Sequence, residues 1–182
     1  MLPECFETPI PGLKLIKPAV FSDSRGYFTE SYNESDFASL GITGKFVQDN
    51  RSLSAKNALR GMHFQKPPFA QAKLVQVISG SVMDIVVDIR RKSENYGKYY
   101  AVELSADNFL QLYIPEGFAH GFLTLQDNTV FAYKCSDYYN KQSEDGLMWN
   151  DALLAIPWGI SDPILSGKDQ NFIGFDKFIS PF

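Results

Sequence analysis

The 182-residue chain is expected to be all-β, an antiparallel sandwich or barrel, on three observations. Short runs rich in β-branched and aromatic residues follow one another along most of the chain. Gly, Pro, Asn and Asp turn signals separate them at close intervals, and helical periodicity is almost absent. At 20.5 kDa and 45% hydrophobic residues the chain is long enough for one core. There is no linker, internal repeat or low-complexity stretch, so residues 1–182 read as a single domain.

Taken in order, residues 1–20 alternate a proline-punctuated segment with residues 13–17, which read as an edge strand. Residues 21–32 are a turn followed by a strand in which Arg25 and Glu30 flank aromatics. Residues 33–40, stopped by Gly41, are the one short helix expected, capped by Asn33 or Ser35. Residues 46–50 form a strand ending in Gln48, Asp49 and Asn50. Such a polar cluster suits hydrogen bonding to a ligand and suits a turn equally well.

Residues 72–78 and 81–88 are two apolar runs on either side of Ser79-Gly80, which signals a β-hairpin. With those two as the loop, Val77 faces Val82, Val75 faces Asp84 and Lys73 faces Val86, leaving Lys73 and Asp84 diagonal neighbours on one face. A lysine and an aspartate among valines are costly to bury unless paired or used, while an ordinary exposed ion pair explains them equally. Residues 89–98 are a charged loop, residues 99–104 are a strand, and residues 109–114 lead into the segment from Pro115 to Phe122. His120 follows in a glycine-bounded segment, and in residues 129–135 the alternation puts Phe131, Tyr133 and Cys135 on one face. Residues 136–150 read as a polar loop, and the chain beyond residue 151 as short segments broken by prolines.

The net charge of -4 and pI near 5.2 show no basic excess, which argues against nucleic acid as a partner. Cys5 and Cys135 are far apart without CxxC spacing, so a reduced compartment and no disulfide framework are expected. With no basic leader and no apolar window approaching ~18 residues, no membrane partner is expected and the localisation reads as cytoplasmic.

Chemistry concentrates in residues 59–65 and at Lys73, where one of only two histidines stands beside Arg60. A metal-dependent cupin needs several converging His, Asp or Glu ligands, and two histidines with Gln65 two residues after His63 make a poor set. Phosphate-loop, dinucleotide and nucleophile-elbow motifs are missing. The remaining histidine, lysine, tyrosines and arginines suit cofactor-free proton transfer at a carbon made acidic by a carbonyl.

Five motifs in order, Arg60 to Gln65, the Lys73 run, Ile114 to Phe122, Tyr133 to Tyr139 and Ile164 to Asp169, together resemble the dTDP-4-dehydrorhamnose 3,5-epimerase family over roughly residues 8 to 170. The resemblance implies a double-stranded β-helix (jelly roll, cupin-like) with few short helices, no metal, no cofactor and a homodimer. It implies a nucleoside-diphosphate 4-keto-6-deoxy sugar as substrate, epimerised at carbons 3 and 5. His63 is then the base, Asp169 its carboxylate partner and Lys73 the stabiliser of the enolate oxygen, with Asp84 holding the lysine. Tyr133 is then the acid on the opposite face; without the resemblance it reads as a half-buried core tyrosine, and His120 as a structural histidine. Arg25, Glu30, Gln48, Asn50, Arg60, His120, Glu144 and Lys168 become substrate-binding positions, with Asp49 beside them and Tyr139 stacking on the base. Inversion at one carbon only, a GDP-linked substrate and a non-catalytic nucleotide-sugar-binding barrel remain the alternatives. Residues 171–182 are aromatic and match nothing in the family pattern.

Overall fold

Two antiparallel sheets packed face to face, plus one small hairpin, make up the computed structural model, which describes residues 2–182. In chain order the strands are β1 (Glu4–Glu7), β2 (Lys14–Lys17), β3 (Val20–Asp23), β4 (Gly26–Thr29), β5 (Gln48–Ser54), β6 (Leu59–Gln65) and β7 (Lys73–Ser79). They continue as β8 (Ser81–Asp88), β9 (Tyr99–Ser105), β10 (Gln111–Ile114), β11 (Phe118–Thr124), β12 (Thr129–Cys135) and β13 (Glu144–Gly146). The larger sheet has the order β1-β2-β10-β7-β12-β5, the second β13-β6-β11-β8-β9, and β3 pairs only with β4. Strands that follow one another in sequence repeatedly change sheet, the winding of a cupin-like jelly roll.

The strand period of two explains where the core lies. Val75, Val77, Leu112 and Phe131 from the larger sheet meet Val82, Val86, Phe118 and Phe122 from the second. Each such fully buried side chain contributes about 1.5–3 kcal/mol relative to exposure. The outer face of the second sheet is equally apolar, with Met62, Phe64, Ile85 and Val87 covered by Leu147, Trp149, Leu154 and Trp158. The aromatic tail completes that cover, as Phe178 and Phe182 pack against Phe64. Helix α1 (Glu34–Ser39) covers part of the larger sheet through Phe37, and Asn33 caps it by accepting from the Ser35 and Asp36 amides.

The expected helix, its cap and the one-face set Phe131, Tyr133 and Cys135 are all present. Three expectations are corrected. β7 and β8 are not a hairpin: they join at Ser79-Gly80 but enter different sheets, so the expected Val75–Asp84 register does not form. Gly80, at φ +78°, turns the chain across the sandwich, close against Thr129. β2 is not an edge strand, because β1 lies outside it, and Gln48 to Asn50 begin β5 instead of ending a strand. No helix of the described residues is long and apolar enough to cross a membrane.

Candidate active site

At one end of the jelly roll the two sheets part around a cavity of about 420 Å³, lined by Arg51, Ser52, Arg60, His63, Lys73, His120, Phe122, Phe131, Tyr133, Glu144, Ser166, Lys168 and Asp169. The strand registers explain this convergence. Lys73 of β7 and Tyr133 of β12 fall on the inner face of the larger sheet, because Lys73 is paired with Cys135 and Tyr133 with Val75. His63 of β6 and His120 of β11 are direct cross-strand partners in the second sheet. Asp169 and Lys168 arrive on the segment after Ile164, which bridges Ala58 just before β6.

His63 Nε2 lies 2.5 Å from Asp169 Oδ1, while Ser166 Oγ donates to Asp169 Oδ2 at 2.9 Å. A carboxylate accepting at Nε2 fixes the tautomer that leaves Nδ1 as the free base. Burial pushes the His63 imidazole below its ordinary value, against the opposing pull of Asp169, and this keeps the ring neutral. Burial also acts on Asp169, raising it, but the hydrogen bonds from His63 and Ser166 outweigh that and leave it below the usual carboxylate range.

Lys73 extends its ammonium to 5.9 Å from the centroid of the Tyr133 ring. Burial pushes Lys73 down and Tyr133 up, so the phenol holds its proton across the neutral range. Asp84, expected to hold Lys73, instead hydrogen-bonds His120 Nε2 at 2.8 Å. Its other oxygen is buried without a hydrogen-bond partner, and its charge still acts on Lys73 across the sandwich. At the rim, Glu144 accepts from Lys168 Nζ at 2.6 Å and from the Tyr139 hydroxyl at 3.0 Å. These bonds hold Glu144 below its ordinary value despite the raising effect of burial.

Eight of the residues singled out from the sequence therefore line the one cavity: Arg60, His63, Lys73, His120, Tyr133, Glu144, Lys168 and Asp169. Asn50 is cross-strand from Tyr133, Gln48 bonds both Asn50 and the Tyr139 amide, and the Tyr139 hydroxyl donates to the cavity-lining Glu144. None of the three lines the cavity, but Asn50 and Tyr139 each partner a residue that does, and Gln48 links the two. Asp49 takes the other face of β5 and pairs with Lys134 at 2.9 Å. Arg25, paired with Asp23, lies in the exposed β3–β4 hairpin, and Glu30 just beyond it accepts from Asn33, so this chain alone does not bring them to the cavity. Arg51, Ser52, Phe122, Phe131 and Ser166 line the cavity without having been singled out. Continuing the alternation from Asn50 would have found Ser52, which is cross-strand from Phe131. Among the described residues, no three His, Cys, Asp or Glu side chains converge as a metal-ligand set.

Fold and cavity together define a cupin-like jelly roll whose cavity gathers two histidine–aspartate pairs, a lysine and a tyrosine. Comparison with known proteins narrows this. The model of the family described as dTDP-4-dehydrorhamnose 3,5-epimerase matches residues 7–177, and the chain belongs to that family. A dTDP-4-dehydrorhamnose 3,5-epimerase of Shigella flexneri is 47% identical over 177 residues, covering 95% of this chain and 98% of the relative. The crystal structure of the Elizabethkingia anophelis dTDP-4-dehydrorhamnose 3,5-epimerase superposes with a TM-score of 0.92 at 50% identity, over 97% of this chain and 99% of that one. The Legionella pneumophila dTDP-6-deoxy-D-glucose-3,5-epimerase, solved with dTDP-4-keto-L-rhamnose, gives a TM-score of 0.93 at 42% identity, covering 97% and 95%.

Proposed function

We propose that this chain, as one domain over residues 1–182, epimerises a dTDP-linked 4-keto-6-deoxy sugar at carbons 3 and 5 without a cofactor. The observation that carries the reading is the placement of His63 and Tyr133 on opposite sheets facing one cavity, since inversion needs a base and an acid on two sides of a flattened ring. The 4-keto group acidifies both neighbouring C–H bonds. His63 Nδ1 takes the proton, the C–H electron pair moves into the C–C bond, and the carbonyl π pair moves onto oxygen. Asp169 stabilises the imidazolium formed. Lys73 offsets the charge that develops on the oxygen, where a preorganised cation acts most strongly. Tyr133 then delivers its proton to the carbon from the other face, the enolate collapses to the ketone, and solvent resets both groups.

For the nucleotide end, Arg60, His120 and Lys168 suit the diphosphate, and Tyr139 offers an exposed ring to the base beside Gln48, Asn50 and Glu144. We assign the active form to a homodimer. Phe21 and Phe28, stacked on one face of the β3–β4 hairpin, are 50% and 66% exposed, on the hairpin that carries Arg25 and ends just before Glu30. A second copy covering that hairpin would bury the aromatics and offer both polar residues to a cavity. A cytoplasmic location is in keeping with the two free cysteines.

Proton NMR in deuterated water with dTDP- and GDP-linked 4-keto-6-deoxy sugars tests the reading. Deuterium entering at carbons 3 and 5 of the dTDP sugar, with inversion, is expected. Exchange at carbon 3 alone would reduce the activity to a 3-epimerase, and binding without exchange would make the chain a non-catalytic nucleotide-sugar barrel. Sedimentation of the same sample reports the dimer.

A further inference from the structure

His63 is held from a second side that this chemistry does not use. It pairs with Gly146 in the β6–β13 ladder, and the Phe172 ring stands edge-on to the imidazole, with centroids 5.6 Å apart and planes at 67°. A Cβ at Gly146 would sit 2.5 Å from the Met62 carbonyl oxygen and 2.7 Å from two carbons of the Phe172 ring, so the backbone of β6 and the ring both crowd this position. The segment carrying Phe172 is sewn to the sheet at both ends. Ile164 bridges Ala58 before β6, and Ile173 bridges Leu147, whose amide donates to Met62 O at 2.9 Å. Between those anchors the chain presents Asp169 to Nε2 of the imidazole and Phe172 to its ring.

One hydrogen bond leaves an imidazole free to swing, because the second side-chain torsion of histidine is broad. A packed aromatic removes that freedom and closes the space water would fill behind the pair. We propose that Phe172 is a positioning residue for the base; this rests on His63 being the base. Burial lowers the His63 imidazole, and the Phe172 ring edge-on to it is placed to supply part of that burial. It also gives a role to the start of the aromatic tail, with Phe172 serving the cavity while Phe178 and Phe182 serve the core.

The chain has two histidines, so NMR can follow both imidazoles through a pH titration, with His63→Asn assigning the pair. In Phe172→Ala the His63 midpoint should rise by about one unit as water reaches the ring. In Phe172→Leu, which keeps apolar bulk, it should stay near the unsubstituted value. For turnover, kcat of Phe172→Ala should fall about ten-fold with KM and dTDP affinity unchanged, as expected of a misplaced base. A His63 midpoint that does not move in folded Phe172→Ala would overturn the proposal. So would equal losses of rate and dTDP affinity. The titration needs no substrate, so it separates this inference from the epimerase reading, which the exchange experiment on the unsubstituted protein tests.

Discussion

His63 and His120 are cross-strand partners on β6 and β11, yet each directs its Nε2 to a different aspartate, Asp169 at 2.5 Å and Asp84 at 2.8 Å. The first side chain is 25% exposed and the second 8%, so of two similar pairs on one sheet only the first opens well onto the cavity. In the proposed reaction that difference assigns His63 to the substrate carbon and His120 to holding the substrate by hydrogen bonding.

Lys73 is the group whose removal should act on the transition state alone. Lys73→Met should lower kcat by about 10²- to 10³-fold with little change in KM, because in the proposed reaction the substrate oxygen assigned to it becomes negative only as the proton leaves. Steady-state kinetics decide this. A raised KM at constant kcat would make Lys73 a binding group instead.

Tyr133→Phe removes the proton delivered to the second face but leaves His63, Asp169 and Lys73 in place. Solvent exchange should survive better than inversion at carbon 5, measured by NMR on one sample. Equal loss of both would reduce Tyr133 to packing between Phe131 and Lys73.

The pH dependence follows from the directions of the shifts. His63 must be neutral to act, and burial holds it below 6.5, so kcat/KM should be level at pH 6.5 and fall only below it. Tyr133, raised above 10.0 by burial, should not limit the rate before strongly alkaline pH. Stability carries matching signs. With its folded value lowered, His63 contributes fully above 6.5, and that contribution is lost as pH falls from 6.5 towards the folded value. Asp169, also lowered, contributes above its ordinary 3.8 and loses its contribution as pH falls through its folded value. A pH–rate profile with an acid limb already declining above pH 6.5 would contradict the assignment of the base.

Much of the β framework was legible because inner and outer residues alternate, as in β12, where Phe131, Tyr133 and Cys135 announce their face without any structure. Partner choice was not legible. Ser79-Gly80 has the composition of a hairpin turn, but β8 is buried on both faces and its near-continuous apolar run carries no mark of which sheet it joins. The Lys73–Asp84 pairing failed for that reason, and His120 took the aspartate. β13, three residues within a polar stretch, and the coil from Leu147 to Phe182 were unreadable because neither has a period. The apolar residues of that coil cover the second sheet instead of forming one. The motif around Lys168 and Asp169 was visible only through its family resemblance, since a residue 106 positions from His63 gives no local sign that it will meet it.

The most direct measurement of the central claim is solvent deuterium incorporation into the keto sugar by His63→Ala beside the unsubstituted protein, with dTDP binding measured on both. With His63 as the base, exchange at carbons 3 and 5 falls by at least about 10²-fold while dTDP binding stays nearly unchanged. Exchange retained at the unsubstituted rate would remove His63 from the reaction and with it the account of the cavity given above.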